Sequence, residues 1–357
     1  MDKVLVVGDA NVDITIPWTE AEGKLGGLSP KHRKLLSSLM SQARDCGCDV
    51  ECYYDSFPEE MSSFLDSFKG RVGMGGCGAI KSCAMSRMSG SKVYFWGSAG
   101  ADGYGKLVKG TLLDSGVVLE KFTQEGCTYK TYNLFHPRYN RLAISSWGWD
   151  FDAKDIISFA KKQPLSKILL AGAHRLPKKS LGYRRIAEEF PEKTYVFTGS
   201  FACYSGSDLR KKYKQDLSRG VLVLNDSEAG QIARALTGKK LTILDSLKAI
   251  GNEYVVMHGP HFTAVKTGDR IIASPTHQIN KKRVKELTGI GDVWESVFLS
   301  QVTSLGGMAD EELIRAQQLA SEAACLRMLT AKSPELGGLR KIRFLPDKKG
   351  AEMLGPV

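Results

Sequence analysis

No apolar run in the 357-residue chain is long enough to cross a bilayer. Each breaks within about ten residues, where a transmembrane helix needs roughly 20. The stretch "MDKVLVVGDANVDITIP" carries one lysine and an apolar run closed by Gly8 and Asp9. It lacks the longer hydrophobic region and small-residue cleavage site of a secretory signal, and reads as a first strand. Cysteine is present but unpaired in pattern: of positions 46, 48, 52, 77, 83, 127, 203 and 325, only the first three cluster, in "CGCDVEC". With no second pair and no histidine pair at ligand spacing, zinc is not expected, and the thiols are expected to be reduced in the cytoplasm. There is no internal repeat and no low-complexity segment. The formal net charge is +11 and the pI near 9.1. The basic clusters "KKYK" (Lys211–Lys214), "KKR" (Lys281–Arg283) and "RKIR" (Arg340–Arg343) are short and far apart. That dispersion argues against a nucleic-acid partner and suits a solvated face or a small anionic ligand such as a nucleotide.

What remains is an ordinary globular composition, 42% hydrophobic and 25% charged, long enough for one large core with an appendage. Short unbroken apolar runs, "KVLVVGD", "KVYFWGSAG", "KILLAGA", "TYVFTGS", "GVLVLND" and "EYVVMHG", read as strands buried on both faces. Between them lie helical patterns: "GAIKSCAMSRMS", "YGKLVKGTLLDSG", "DAKDIISFAKK", "LGYRRIAEEF", "SEAGQIARALTG" and "ILDSLKAIG". Alternation of this kind predicts a parallel sheet with helices on both sides. Two segments depart from it. Residues 17–70 carry no parallel-strand signal and hold two helical patterns, the first opened by Ser29 with Pro30 at the first helical position. Cys127 to Trp147 is rich in Tyr, Thr and other aromatics around the turn "HPRYN", and predicts a β-hairpin. A hairpin outside an α/β core is often a flap over a site.

One stretch asks for chemistry. "KELTGIGDVWESVF" puts two glycines around Ile290, and Asp292 directly behind them, at the mouth of a helix. In open α/β sheets ligands bind at the C-terminal ends of strands, and helix N-termini there collect anions. The backbone N–H groups of Gly289, Ile290 and Gly291 would form such an anion hole. Asp292 cannot bind a phosphate of the same charge, but it can take a proton from a hydroxyl that attacks one. In isolation the pentapeptide is equally an acidic first turn after a tight bend.

It is not isolated. Outside residues 17–70, the chain resembles the ribokinase, or PfkB-type, carbohydrate kinase family through five features in order. "VVGDANVD" is similar to the family's first strand, which implies substrate contacts from Asp13 and Asn11. "GGCGAI" is similar to the glycine pair that closes on substrate, here Gly75 and Gly76. "GSAGADGYGK" matches G-x-x-G-x-D-x-x-G, where Asp102 is expected to order its own turn and Lys106 to be solvated. "NDSE" matches N-x-x-E, which implies Asn225 and Glu228 around magnesium and phosphates, with Glu228 as the metal residue. "TGIGD" matches T-G-x-G-D, with Asp292 as general base, Gly289, Ile290 and Gly291 as anion hole and Thr288 beside the nucleotide. "VVMHGPHFTAV" keeps the Gly259 turn of the nucleotide pocket.

The resemblance implies a ribokinase-like three-layer α/β/α domain with a small β lid. The kinase core would comprise residues 1–16, 71–126 and 148–345, the lid and insertion 17–70 and 127–147, and a tail 346–357. It also implies transfer of the γ-phosphate of ATP, with Mg2+, to a small hydroxylated acceptor: a sugar, sugar phosphate, cyclitol or nucleoside. An ADP-dependent sugar kinase and a catalytically silent ligand-binding relative stay open as alternatives. Ile80 stands where relatives carry Asn against the sugar, and Glu286 where many carry Asp beside a monovalent cation. His136 and His258 show no partner in sequence and receive no catalytic role. Tyr129, Tyr132, Phe135 and Tyr139 of the hairpin would exclude water over the acceptor; a homodimer through the same aromatic sheet is the competing role.

Overall fold

The structure is a computed structural model and describes residues 2–330 except 47–49, 55–57, 137–139, 147–150, 174–176, 200, 202–203, 278, 280–282 and 286–287. Glu286, Cys48, Cys203, Lys281, Lys282, the "RKIR" cluster, the hairpin turn Pro137, Arg138 and Tyr139, and the 346–357 tail therefore lie outside the described residues.

In chain order the elements are β1 (Lys3–Val7), β2 (Asn11–Pro17), α1 (Trp18–Gly23), α2 (Pro30–Cys46), β3 (Val50–Tyr54), α3 (Glu59–Asp66), β4 (Arg71–Gly75), α4 (Cys77–Ser89), β5 (Lys92–Ala99), α5 (Gly103–Asp114), β6 (Val118–Gln124), β7 (Lys130–His136) and β8 (Asn140–Ser146). They continue with α6 (Ala153–Lys162), β9 (Lys167–Leu170), α7 (Pro177–Glu189), β10 (Thr194–Phe197), α8 (Gly206–Lys212), β11 (Val221–Asn225), α9 (Asp226–Thr237), α10 (Ile243–Ala249), β12 (Tyr254–His258), β13 (Phe262–Thr267), β14 (Arg270–Pro275), α11 (Ile290–Gln301) and α12 (Asp310–Thr330).

The main sheet has nine strands in the order β14-β13-β12-β11-β10-β9-β1-β5-β6, parallel from β12 to β6 and closed by the antiparallel β13–β14 edge. The unbroken apolar runs are explained by burial on both faces. Along β1, Val4 and Val6 join a core with α4, α5, α11 and α12, while Leu5 and Val7 join a second core with α6 to α10. This is the three-layer arrangement expected from the alternation. Three strands of this sheet escaped the sequence reading. The edge strand β6 carries exposed Glu120 and Lys121 and looks polar. The β13–β14 pair is a hairpin bent at Gly268, whose φ is 60°.

A second sheet has the order β3-β8-β7-β2-β4. It takes in residues 11–17 and 71–75 as well as the 127–147 hairpin, whose two strands pair as expected with His136 opposite Asn140. Within 17–70, the two expected helices are α2 and α3, but the segment also contributes β3, parallel to β8. Its sequence, "VECYY", overlaps the cysteine cluster at Cys52 and is too short to show a strand period. One face of this sheet is apolar: Ile14, Ile16, Tyr132, Leu134, Leu142 and Ile144 pack with Trp18, Leu36, Met61 and Leu65 of the helices. Tyr132 therefore belongs to the core of the small domain, its hydroxyl bonded to Asp66 at 2.6 Å, and is not an acceptor cover. The other face is a polar row: Asn11 donates to Thr131 at 2.5 Å, and Thr131 meets Ser145 at 2.9 Å.

Candidate active site

Helix α11 begins at a left-handed residue. Gly289 caps it with φ 70° and ψ 16°, and its carbonyl accepts from Val293 at 3.0 Å. A side chain at position 289 would be strained there, and its Cβ would stand 2.9 Å from Cδ1 of Ile80. The bare turn thus lets α4 close on the mouth of α11, whose free N–H groups and dipole favour an anion. Asp292 lies in the first turn and is buried. Its Oδ2 faces the cradle, 3.8 Å from where a Gly289 Cβ would be.

Asp292 is not alone. Its Oδ1 is ion-paired with Lys81 of α4, and the same ammonium reaches Glu295 Oε2 at 2.6 Å. Asp292 and Glu295 sit three residues apart on one helical face, so one lysine bridges both. The Lys81 side chain is only 3% exposed, and its Nζ lies 4.5 Å from the centre of the Phe197 ring. Glu295 Oε1 in turn meets Nε2 of His258, at the end of β12, at 3.2 Å. Burial pushes the Asp292 carboxyl above its ordinary value; Lys81 opposes that shift and Glu295 adds to it. Burial works the same way on Glu295, but Lys81 and His258 outweigh it and hold it low. For Lys81 and His258, burial disfavours the charge, yet the facing carboxylates prevail and both are raised.

The residues expected on the acceptor side lie on β2 and β4. Asp13 is buried and lies against Gly75, where an added Cβ would come within 2.3 Å of its Oδ1. Gly76 has φ 87°, and a Cβ there would stand 2.6 Å from the Asp9 carbonyl and 2.7 Å from Asn11 Oδ1. That oxygen of Asn11 is buried with no hydrogen-bond partner among the described residues. The glycine pair is thus required by the close passage of β2, Asp13 and Asn11. Two guanidinium groups approach the same region. Arg327 of α12 donates to the Thr288 carbonyl at 3.4 Å. Burial lowers its pKa and nearby Arg71 lowers it further, while Asp13 and Asp292 raise it. Arg71 pairs with Thr15 in the β2–β4 register, two positions along from Asp13 on the same face.

The residues expected on the donor side lie at the ends of β11 and β12, where Asn225 is in register with His258. Asn225 and Glu228 form a capping box at the start of α9: Asn225 Oδ1 accepts from the Glu228 N–H, and Glu228 Oε2 from the Asn225 N–H at 2.9 Å. Glu228 Oε2 also accepts from Thr198 at 2.5 Å, and burial pushes its carboxyl up to about 7. Gly259 packs at the start of α9, where a Cβ would be 3.2 Å from Asp226. A Cβ on Gly291 would meet the His258 ring at 2.9 Å, which ties this side to the α11 cradle. No group of three or more metal-ligating side chains occurs among the described residues. A single carboxylate, Glu228, whose Oε2 already accepts from Thr198 and the Asn225 N–H, would suit only a magnesium ion that keeps its waters and leans on substrate phosphates. It does not fit an all-protein cage.

The sequence-chosen residues thus fall into three adjoining groups: Asp13, Asn11, Gly75 and Gly76; Thr288, Gly289, Ile290, Gly291 and Asp292; and Asn225, Glu228 and Gly259. Asp102 orders its turn as expected, accepting from Gly105 at 2.8 Å and from the Thr128 N–H at 2.9 Å. Lys106 is exposed. His136 lies edge-on to Trp18, away from this cluster. The reading of His258 as a lone histidine is corrected by Glu295, and Lys81 and Glu295 were missed. Both sit inside apolar helical patterns, where the one signal was a charge at a core position.

No protein-family model and no curated protein matches the chain. Solved structures do. The adenosine kinase of Sinorhizobium meliloti is 15% identical, with 95% of this chain and 97% of that one covered and a TM-score of 0.68. Adenosine kinase from Schistosoma mansoni, in complex with 2-fluoroadenosine, is 14% identical over 93% and 96%, with a TM-score of 0.70. Arabidopsis thaliana ribokinase, complexed with ribose and ATP, is 18% identical over 99% and 98%, with a TM-score of 0.60. At such identities the likeness is one of fold: a helix-flanked parallel sheet with a smaller second sheet, shared with these adenosine kinase and ribokinase structures.

Proposed function

We propose that the protein is a kinase that transfers the γ-phosphate of ATP to a hydroxyl of a small polyol: a sugar, sugar phosphate, cyclitol or nucleoside. The observation that carries this reading is Asp292, buried in the first turn behind left-handed Gly289, with its Oδ2 facing the cradle. Asp13 accepts hydrogen bonds from the acceptor. Asp292 takes the proton of the attacking hydroxyl as the new P–O bond forms and the bond to the leaving nucleotide breaks. The N–H groups of Gly289, Ile290 and Gly291 face the charge on the phosphoryl oxygens. Mg2+, held at Glu228 through water, would neutralise nucleotide phosphates, while Thr288, Asn225 and Gly259 shape the nucleotide pocket. The 127–147 hairpin closes over the acceptor and keeps water from the γ-phosphate; cytoplasmic location and a homodimer through the lid belong to the same proposal. The approach of Arg71 and Arg327 to Asp13 favours an acceptor that itself carries an anionic group.

A ligand-binding protein without turnover is the second reading. The observation that favours it is Lys81 lying on the candidate base. Both are tested by incubating the protein with labelled ATP, or with ADP, and a panel of sugars, sugar phosphates, cyclitols and nucleosides. Label transfer from ATP to one acceptor class supports the kinase. Transfer from ADP alone would reassign the donor, and acceptor-induced thermal stabilisation without transfer from either would establish the silent reading.

A further inference from the structure

Lys81 stands one residue from Ile80, which touches the cradle, and its side chain runs beneath the site to α11. Its ammonium meets Asp292 Oδ1, Glu295 Oε2 and the face of the Phe197 ring. A buried ammonium with two carboxylates is costly to assemble and is seldom kept for stability alone. Its geometric effect is specific. It ties one oxygen of Asp292 and leaves the other turned toward the cradle.

We propose that Lys81 is a positioning residue for phosphoryl transfer: it fixes Asp292 by Oδ1 and keeps it an ionised carboxylate, so that Oδ2 is ready to take the acceptor proton. This rests on the kinase reading of the site. The groups facing Asp292 are the Cys77 side chain and Lys81 from α4, Glu295 from its own helix and Arg327 from α12. Among them, Lys81 is the chief influence favouring the charged form, against burial and Glu295. When the hydroxyl proton passes to Oδ2, Asp292 becomes a neutral acid and Lys81 keeps Glu295 as its counter-ion. Glu295 keeps His258 in turn. The ammonium is therefore partnered before and after the step and need not give up a proton.

The test compares the wild type with K81M and the double variant K81M/E295Q. The double variant removes one charge of each sign and keeps the fold available if K81M alone does not hold it. The measurements are the pH profile of kcat/KM for phosphoryl transfer, and the titration of the Asp292 carboxyl by carbon-13 NMR, assigned with D292N. An opposite charge at this range lowers a carboxyl by about 1–3 pH units. The acid limb should therefore rise by at least about one unit in K81M. It should lie between wild type and K81M in the double variant, because Glu295 no longer opposes ionisation. kcat should fall at least tenfold with nucleotide KM unchanged. An acid limb and an Asp292 titration that stay at the wild-type pH in both variants would overturn the proposal. If the wild type transfers no phosphate, the kinase reading fails by itself, while the NMR titration still decides whether Lys81 governs Asp292.

Discussion

Replacing Gly289 by alanine can be compared with the same change at Gly238, because the two share a backbone conformation and differ in surroundings. Gly289 has φ 70° and Gly238 has φ 74°, so alanine is forced into the left-handed region at both, at about 1–2 kcal/mol. At 238, the cap of α9, no atom other than those of its immediate chain surroundings lies within 4 Å of the added Cβ. At 289 the Cβ would stand 2.9 Å from Cδ1 and 3.2 Å from Cγ2 of Ile80. That is the flexible end of a side chain and can move off its rotamer for about 0.5–1.5 kcal/mol more. At roughly 2–4 °C per kcal/mol, G238A should lower Tm by about 2–8 °C and G289A by a few degrees more. The functional difference should be larger. G238A leaves the α11 mouth alone, whereas G289A re-aims the N–H groups that would hold phosphate. Saturation of the wild type with magnesium and ATP at about 100 times Kd stabilises by roughly 2.7 kcal/mol, and each tenfold loss of affinity removes about 1.4 kcal/mol of that. Differential scanning fluorimetry with and without nucleotide reads both quantities. Equal Tm losses and equal nucleotide-induced shifts in the two variants would refute the cradle.

Two further outcomes follow from the geometry. E228Q should raise the magnesium concentration for half-maximal activity more than the acceptor KM, and should keep its fold because Gln also closes a capping box; a wild-type magnesium titration with collapsed acceptor affinity, measured by steady-state kinetics, would contradict the assignment. Glu60, on α3, is lowered from 4.5 to about 2 by the N–H of Ser29, which precedes α2, by His32 of α2 and by the Ser29 hydroxyl. A lowered carboxyl stabilises above its unfolded value and loses that contribution as pH falls through about 2, so E60Q should flatten the acid dependence of small-domain hydrogen exchange between pH 4.5 and about 2; an unchanged slope would show that this helix pairing does not depend on the carboxylate.

Much of this architecture was legible because the physics is local. "KILL" and "VLVLN" are strands buried on both faces, and an apolar run is all such a strand can show. The helix starts at Asn225 and Gly289 were legible because caps and glycine turns draw on few residue types. β3 and β6 were not: β3 pairs with β8 far along the chain, where Arg141 answers its one charge, Glu51, and β6 is an edge strand with exposed Glu120 and Lys121. The small sheet's reach into residues 11–17 was hidden as well: only Gly8, Asp9 and Ala10 separate β1 from β2, and so short a link does not show that the next strand joins another sheet. Lys81 and Glu295 lie 214 positions apart, and only folding reveals that a charge in each helix core answers the other. His258 looked solitary for the same reason.

The account turns on Asp292 as the base, and D292N addresses it most directly. In this variant Lys81 keeps Glu295 as a partner, so no buried ammonium is left uncompensated and the fold should persist. Single-turnover transfer of labelled γ-phosphate to the acceptor class found in the panel, beside nucleotide binding by calorimetry, separates chemistry from affinity. The account predicts unchanged nucleotide affinity and a transfer rate reduced about 10²–10⁴-fold, the usual consequence of losing a general base. Transfer at the wild-type rate by D292N would contradict it.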